Sequence, residues 1–193
     1  MSLKITDLKK RYGDKVIFEG FCYDFPDAGI LLIRGTSGVG KTTLLRIISG
    51  LDKDYTGEIV GGGFDNVSVS FQEYRLFPTL NAIDNTLVGI ENPSEKDRQK
   101  AASLLLRMGY TEDELAFMPS ELSGGMKQRV SLARAFMKDC PVYLLDEATK
   151  ELDSELVRAV LDIIKEYSLL HLVILVTHND SDGDYLGGSI IEL

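Results

Sequence analysis

The segment Gly35-Thr36-Ser37-Gly38-Val39-Gly40-Lys41-Thr42 follows directly on the apolar run Ile30-Leu31-Leu32-Ile33 and leads directly into the helix-period stretch Leu44 to Ile48. A short continuous apolar run ending at glycine or polar residues has the form of a strand buried on both faces of a parallel sheet. At such a strand-to-helix turn the pattern GxxxxGK[ST] has a physical reading. Glycines let successive backbone N–H groups turn inward around phosphate oxygens, and the helix that follows presents its positive end to them. The Lys41 ammonium reaches the β- and γ-phosphates of a nucleotide, and the Thr42 hydroxyl is a ligand for Mg²⁺. Thr43, next in the helix, belongs to the same nucleotide-binding set.

Two further runs, Val142-Tyr143-Leu144-Leu145 and Leu172-Val173-Ile174-Leu175-Val176, repeat the doubly buried form, and helix-period stretches lie between the runs. This alternation predicts an α/β fold with a parallel sheet. Period-2 alternation in Leu3-Lys4-Ile5, Phe21-Cys22-Tyr23-Asp24-Phe25 and Val67-Ser68-Val69-Ser70-Phe71 predicts three antiparallel, half-exposed strands, and Ser189 to Leu193 reads as a final strand. From about Glu73 to Lys138 no strand pattern occurs. Helical segments fill that stretch, one of them opened by Pro93-Ser94 with Asp97 completing a capping box. The expected organisation is one domain over residues 1–193. Residues 1–72 and 141–193 make the core with its β subdomain, and 73–140 form a helical insert.

Thirty acidic against twenty-one basic side chains leave a net charge of -9, which argues against a nonspecific nucleic-acid binder, and no nucleic-acid partner is expected. Cys22 and Cys140 have no metal-ligand spacing. At this length a chain buries about 70% of its unfolded surface, enough for a core without disulfides. The longest apolar run, Leu169 to Val176, is interrupted by His171 and falls short of the roughly 20 residues a spanning helix needs. The first residues, Met1 to Asp7, lack a secretory h-region, so the expected location is the cytoplasm.

Phosphate binding alone does not separate a kinase from a hydrolase. Asp146 and Glu147, at the end of the run Val142 to Leu145, bear on that choice. Two adjacent carboxylates at a buried strand end are costly unless a cation or polar partner meets them. Asp146 can hold Mg²⁺ there, and Glu147 can act on an attacking water as general base.

Leu122-Ser123-Gly124-Gly125-Met126-Lys127-Gln128-Arg129 resembles the LSGGQ-type signature of ATP-binding cassette (ABC) ATPases, and the resemblance extends over nearly the whole chain. It implies a P-loop, RecA-like core with ATP and Mg²⁺ as ligands. Under it, Tyr12 is similar to the adenine-stacking aromatic. Gln72 resembles the Q-loop glutamine, which joins the metal and catalytic set, and His178 resembles the switch histidine. Ser123, as cap of a helix starting at Gly124 and Gly125, offers a second anion-binding helix terminus. The resemblance implies that this terminus faces the γ-phosphate held by another protomer. Two ATP molecules are then sandwiched in a head-to-tail dimer with a second copy or a paralogous subunit. One departure stands out: where the family usually reads Ser-Ala-Leu-Asp after the catalytic glutamate, this chain has Lys150-Glu151-Leu152-Asp153. Asp153 is retained.

By the same resemblance the chain is an ATPase subunit peripheral on the cytoplasmic face of the membrane, powering a transporter whose pore comes from separate permease subunits. Glu73 to Pro78 resembles the family's coupling region. The wording around Leu76-Phe77-Pro78 and Gly125 to Arg129 resembles importer ATPases of the nitrate, sulfonate and taurine group. The competing reading is a soluble ABC ATPase acting on a macromolecular partner, which usually carries a coiled-coil insert, a second cassette or a basic face. Three features invite plain readings. Asp180, Asp182 and Asp184 imitate a calcium loop but lack its glycine and final glutamate, so a solvated loop is expected. His171 reads as structural. Lys9-Lys10-Arg11 reads as a solvated strand end rather than a nucleic-acid patch, with help to an adjacent ATP site as the alternative.

Overall fold

The computed structural model describes residues 3–193. Two sheets organise the chain. In the first, β1 (Lys4–Tyr12) and β2 (Lys15–Asp24) form a hairpin around Gly13, whose φ of 58° suits a glycine, and β4 (Thr56–Val60) adds antiparallel to the other edge of β1. The second sheet has the order β5-β6-β7-β3-β8, built from β3 (Gly29–Arg34), β5 (Val67–Ser70), β6 (Val142–Asp146), β7 (Leu172–Val176) and β8 (Ser189–Glu192). All its neighbouring pairs are parallel.

The apolar runs are continuous because each of the three interior strands, β3, β6 and β7, serves two cores at once. Side chains alternate across a strand. Ile30, Leu32, Tyr143, Leu145, Val173 and Leu175 face one core, shared with α4 (Gly124–Met137) and α5 (Ser154–Ser168). Leu31, Ile33, Val142, Leu144, Ile174 and Val176 face the other, shared with α1 (Lys41–Ile48) and the antiparallel sheet. At the edge of the first core Phe136, Tyr143 and Tyr167 pack with ring centroids 4.2–5.4 Å apart, and His171 stands edge-on to Tyr143 at 5.4 Å. His171 is therefore a packing residue.

Between β5 and β6 the chain is helical: α2 (Ala82–Thr86), α3 (Glu95–Arg107), a 3₁₀ turn at Asp113–Ala116, and α4. The capping box forms, with Ser94 Oγ accepting from the Asp97 amide and Asp97 Oδ2 accepting from the Ser94 amide at 2.8 Å. α6 (Asp180–Leu186) leads into β8.

Three expectations need correction. Val67 to Ser70 is not an antiparallel, half-exposed strand; it is the parallel edge of the core sheet. Its serines are not turned to water: Ser68 Oγ donates to the Ala135 carbonyl at 2.7 Å and Ser70 Oγ lies 3.3 Å from Ser131 Oγ, both beneath α4. The segment expected as a solvated acidic loop is α6, and Asp182 within it is wholly buried. Lys10 is not solvated either; its ammonium is enclosed by Asp52 at 2.9 Å and the Asp54 carbonyl at 2.6 Å. The sequence reading also has no strand at Thr56–Val60, whose side chains are exposed save the partly buried Ile59 and so show little alternation.

Candidate active site

The loop from Gly35 to Gly40 turns on three glycines in the left-handed region, Gly35 (φ 145°), Gly38 (φ 77°) and Gly40 (φ 125°). At Gly40 a Cβ would also come within 2.6 Å of Ile17 on β2, so the strand closes against the loop only because that side chain is missing. Gly40 caps α1 without a side-chain hydrogen bond, which leaves the first-turn amides pointing into the cleft as anion donors. The buried Lys41 ammonium folds back onto its own loop, donating to the Gly35 carbonyl at 2.7 Å and the Thr36 carbonyl at 3.0 Å. Among the described residues it has no carboxylate partner within ion-pair distance, and an arriving phosphate can draw it away from two carbonyls without breaking a salt bridge. Lys15 donates to Gly38 O at 3.1 Å and steadies the loop from the hairpin side.

Opposite the loop, β6 ends at Asp146, which is 2% exposed. Thr42 Oγ1 donates to Asp146 Oδ2 at 2.7 Å. Burial pushes the Asp146 carboxyl up and Glu147 adds to this, while the Thr42 hydrogen bond and the charge of Lys41 pull the other way. A desolvated carboxylate met by one hydroxyl fits a hard cation, which would satisfy both oxygens. Among the described residues no group of three or more His, Cys, Asp or Glu side chains converges on a metal position. The Thr42 hydroxyl and the Asp146 carboxylate fit Mg²⁺, which is commonly held by one or two protein oxygens together with substrate phosphates.

Glu147 is the strained residue of the site. Its φ is 53°, uncommon for a side chain with a Cβ, and its amide donates to the Val176 carbonyl at 2.9 Å, which locks the turn to the end of β7. The carboxylate sits between two cations or potential cations. His178 Nε2 is 3.4 Å from Oε1, and Lys150 Nζ is 2.6 Å from Oε2. The Lys150 contact lies outside hydrogen-bond geometry, so Oε2 is buried with an ionic neighbour but no oriented donor.

Tyr12, Ser37, Gly38, Gly40, Lys41, Thr42, Thr43, Gln72, Asp146, Glu147 and His178 all line one cleft, together with Lys15 and Ile17. Gly35, Thr36 and Val39 complete the loop behind it. Tyr12 is 48% exposed at the end of β1, with a ring face available to a planar ligand. Ser123, Gly124, Gly125 and Asp153 do not line this cleft. Ser123 caps α4, accepting from the Met126 amide at 3.2 Å, and Asp153 caps α5, accepting from the Leu156 amide at 3.0 Å.

The sequence reading missed the supports of this cleft. Asp182 Oδ2 accepts from Thr149 Oγ1 at 2.5 Å and from Thr177 Oγ1 at 3.2 Å, and its Oδ1 accepts from Asn179 at 3.0 Å. It ties the turn after Glu147 to the turn that carries His178. Asp52 accepts from the Tyr12 hydroxyl at 2.9 Å, and the Lys10 ammonium lies 4.6 Å from the Tyr12 ring centre. The sequence signals were charged residues of a kind that usually face water, Lys10, Asp52 and Asp182 each inside a short charged cluster.

The sequence profile of the ABC transporter family matches residues 19–150. The chain belongs to the ABC transporter family. Among similar proteins, the aliphatic sulfonates import ATP-binding protein SsuB 2 of Rhodococcus jostii is 34% identical over 203 aligned residues, covering 100% of this chain and 78% of that protein. The spermidine/putrescine import ATP-binding protein PotA of Pasteurella multocida is 33% identical over 99% of this chain, which spans 55% of that longer protein. A solved structure of the ATP-binding cassette MJ0796, a post-hydrolysis dimer bound to ADP and Pi, superposes with a TM-score of 0.86 at 26% identity, covering 99% of this ABC chain and 94% of that one. Among the described residues of the ABC chain no helix is long and apolar enough to cross a membrane.

Proposed function

We propose that this chain is the ATP-hydrolysing subunit of an ABC importer, reading residues 1–193 as one cassette with a helical part over 73–140. The observation that carries the reading is that Glu147 and His178 meet within 3.4 Å in the same cleft as Lys41, Thr42 and Asp146. A phosphate-binding loop thus shares its cleft with a carboxylate base and an imidazole donor, the parts that hydrolysis needs.

The adenine ring stacks on Tyr12 and the triphosphate lies along Gly35 to Thr43, with the α1 amides and Lys41 neutralising its charge. Mg²⁺ would be held by Thr42 and Asp146, joined by Gln72 in the closed site; when bound it neutralises charge developing on the phosphate oxygens. Glu147 takes the proton of the attacking water as general base. His178 orients that carboxylate from one side and donates to the γ-phosphate from the other.

The second half of each site comes from another protomer. Ser123, Gly124 and Gly125 stand outside the cleft of their own chain, so their helix terminus serves the ATP of the partner in a head-to-tail dimer, and Asp153 lies at the seam. The outer partner is a permease. Glu73 to Pro78 leaves β5 just after Gln72 and exposes Phe77 by 50%, while Arg134 of α4 holds the segment by donating to the Tyr74 and Arg75 carbonyls at 2.8 and 3.0 Å. An exposed aromatic on a braced loop suits a groove for a partner helix. The names of the relatives favour import, with the cassette on the cytoplasmic face of the membrane.

The test is Glu147→Gln, which keeps size and removes the base. Turnover should fall by ~10²-fold or more, and the bound, unhydrolysed ATP should hold a dimer visible by size-exclusion chromatography. Undiminished turnover would rule out Glu147 as the base.

A further inference from the structure

Lys150 and Glu151 stand on the turn that follows the base, and both side chains lie on working parts of the site. Lys150 Nζ is 2.6 Å from Glu147 Oε2. Glu147 is the more enclosed partner, its side chain 14% exposed against 52% for Lys150. Glu151 turns the opposite way, onto the start of α4. A Cβ on Gly124 would overlap the Glu151 carboxylate, and one on Gly125 would stand 2.6 Å from the Glu151 carbonyl oxygen. The two glycines of the signature are thus the floor on which Glu151 rests within its own chain. The Tyr74 hydroxyl lies 3.5 Å from the same Cβ position on Gly124, and burial, then the hydrogen bond to Glu151 and its charge, push that phenol up to about 12.

We propose that Lys150 and Glu151 are positioning residues that form an ionic latch, holding the unpaired subunit in a slow state. Lys150 occupies the carboxylate oxygen of the base, and Glu151 covers the helix terminus meant for the partner's γ-phosphate. The first contact opposes catalysis at the chain's own base, and the second opposes it at the site shared with the partner. An ammonium against Oε2 competes with the attacking water for that atom. A carboxylate over Gly124 puts negative charge where a second negative group must arrive, and like charges there disfavour the closed dimer. Small neutral side chains at these two positions could make neither contact. ATP-driven closure must therefore displace Glu151 from Gly124 and swing Lys150 from Glu147, and because both sit on one short turn the two releases are coupled. The latch rests on the roles proposed above for Glu147 and the signature segment.

Its test uses Lys150→Ala and Glu151→Ala in the full chain, beside the native chain and Glu147→Gln. Lys150→Ala should raise turnover at saturating ATP about twofold to fivefold, the span available to an ion pair with one half-exposed member, with the KM for ATP unchanged. Glu151→Ala should lower, by a similar factor, the protein concentration at which the rate per subunit is half-maximal. In the nucleotide-free chain, amide exchange at Gly124 and Gly125 should quicken in Glu151→Ala, a readout that requires no hydrolysis. A fall in turnover with Lys150→Ala, or unchanged exchange at the two glycines with Glu151→Ala, overturns the latch. Retained activity in Glu147→Gln strikes instead at the base assignment, so the two failures are distinguishable.

Discussion

Thr42 Oγ1 donates to Asp146 Oδ2 at 2.7 Å, joining the first turn of α1 to the end of β6 across 104 residues of sequence. The bond holds together the two oxygens that would share a cation, and it closes one side of the cleft before any nucleotide arrives. Its donor sits next to Lys41, whose ammonium is parked on loop carbonyls. Charge is thus stored on both walls of the cleft, positive on the loop and negative on the strand end, with space for a Mg²⁺–triphosphate between them.

Removing the positive wall should weaken binding before chemistry is reached. Lys41→Ala is expected to weaken ATP binding by about 2–5 kcal/mol, the usual cost of deleting one partner of a desolvated charge pair. Excess EDTA should stop hydrolysis by the native chain while leaving weak nucleotide binding. Equilibrium binding and phosphate release read the two effects; native affinity in Lys41→Ala, or full turnover in EDTA, contradicts the assignment.

If each site is shared, two inactive chains can restore each other. Lys41→Ala removes the loop's charge, and Ser123→Arg blocks the helix terminus offered to the partner. In a heterodimer of the two, one site carries both defects and the other carries neither. Mixing should recover up to about half of the native rate per dimer when sites act independently. No recovery despite demonstrated heterodimers would count against the composite site.

Asp182 supports both catalytic turns at once, so its loss should be felt in stability and in turnover. Asp182→Ala leaves Thr149, Thr177 and Asn179 without their shared acceptor, at a cost on the order of 3 kcal/mol, read from the urea midpoint. Because His178 then loses its anchor to the turn after Glu147, kcat should fall more than the KM for ATP changes. A native midpoint and a native kcat in this variant would remove the support role.

The Lys10–Asp52 pair should shape the pH limits of stability. Burial pushes the Asp52 carboxyl up, but hydrogen bonds from Lys10 and Tyr12 outweigh it and hold the group below its ordinary 3.8. Burial likewise pulls Lys10 down, yet the hydrogen bond and charge of Asp52 hold it above 10.5. A depressed carboxylate contributes stability that is fully present above 3.8 and is lost as pH falls through the folded value. A raised ammonium contributes below 10.5 and loses that contribution as pH rises through its folded value. Stability should therefore be flat with respect to this pair between those limits. Lys10→Met should lower the neutral plateau and flatten the acid limb, and it should raise the KM for ATP through Tyr12; an unchanged acid limb would show that Asp52 is not held by Lys10.

Much of this molecule was legible in local pattern. The loop Gly35 to Thr42, the runs at 30–33, 142–145 and 172–176, the cap at Ser123 and the capping box at Ser94 depend on neighbours a few residues away, so sequence alone carries the signal. Where local pattern was ambiguous, tertiary contacts decided. Val67-Ser68-Val69-Ser70 alternates as a half-exposed strand would, and only the arrival of α4, with hydrogen-bond partners for Ser68 and Ser70, turns its polar face into a buried one. Charged clusters were misread for the same reason. Lys10, Asp52 and Asp182 look like surface residues until partners 42 positions away, in one case, and 33 in another enclose them. Lys150 and Glu151 belong with these: the sequence marked them as departures, but a contact with Glu147 on one side and with Gly124 on the other depends on where β6, α4 and the turn from β6 to α5 come to rest. Hydrophobic period and turn chemistry are written along the chain; the partner of a charge is set by which elements pack together, and that exists only in the folded molecule.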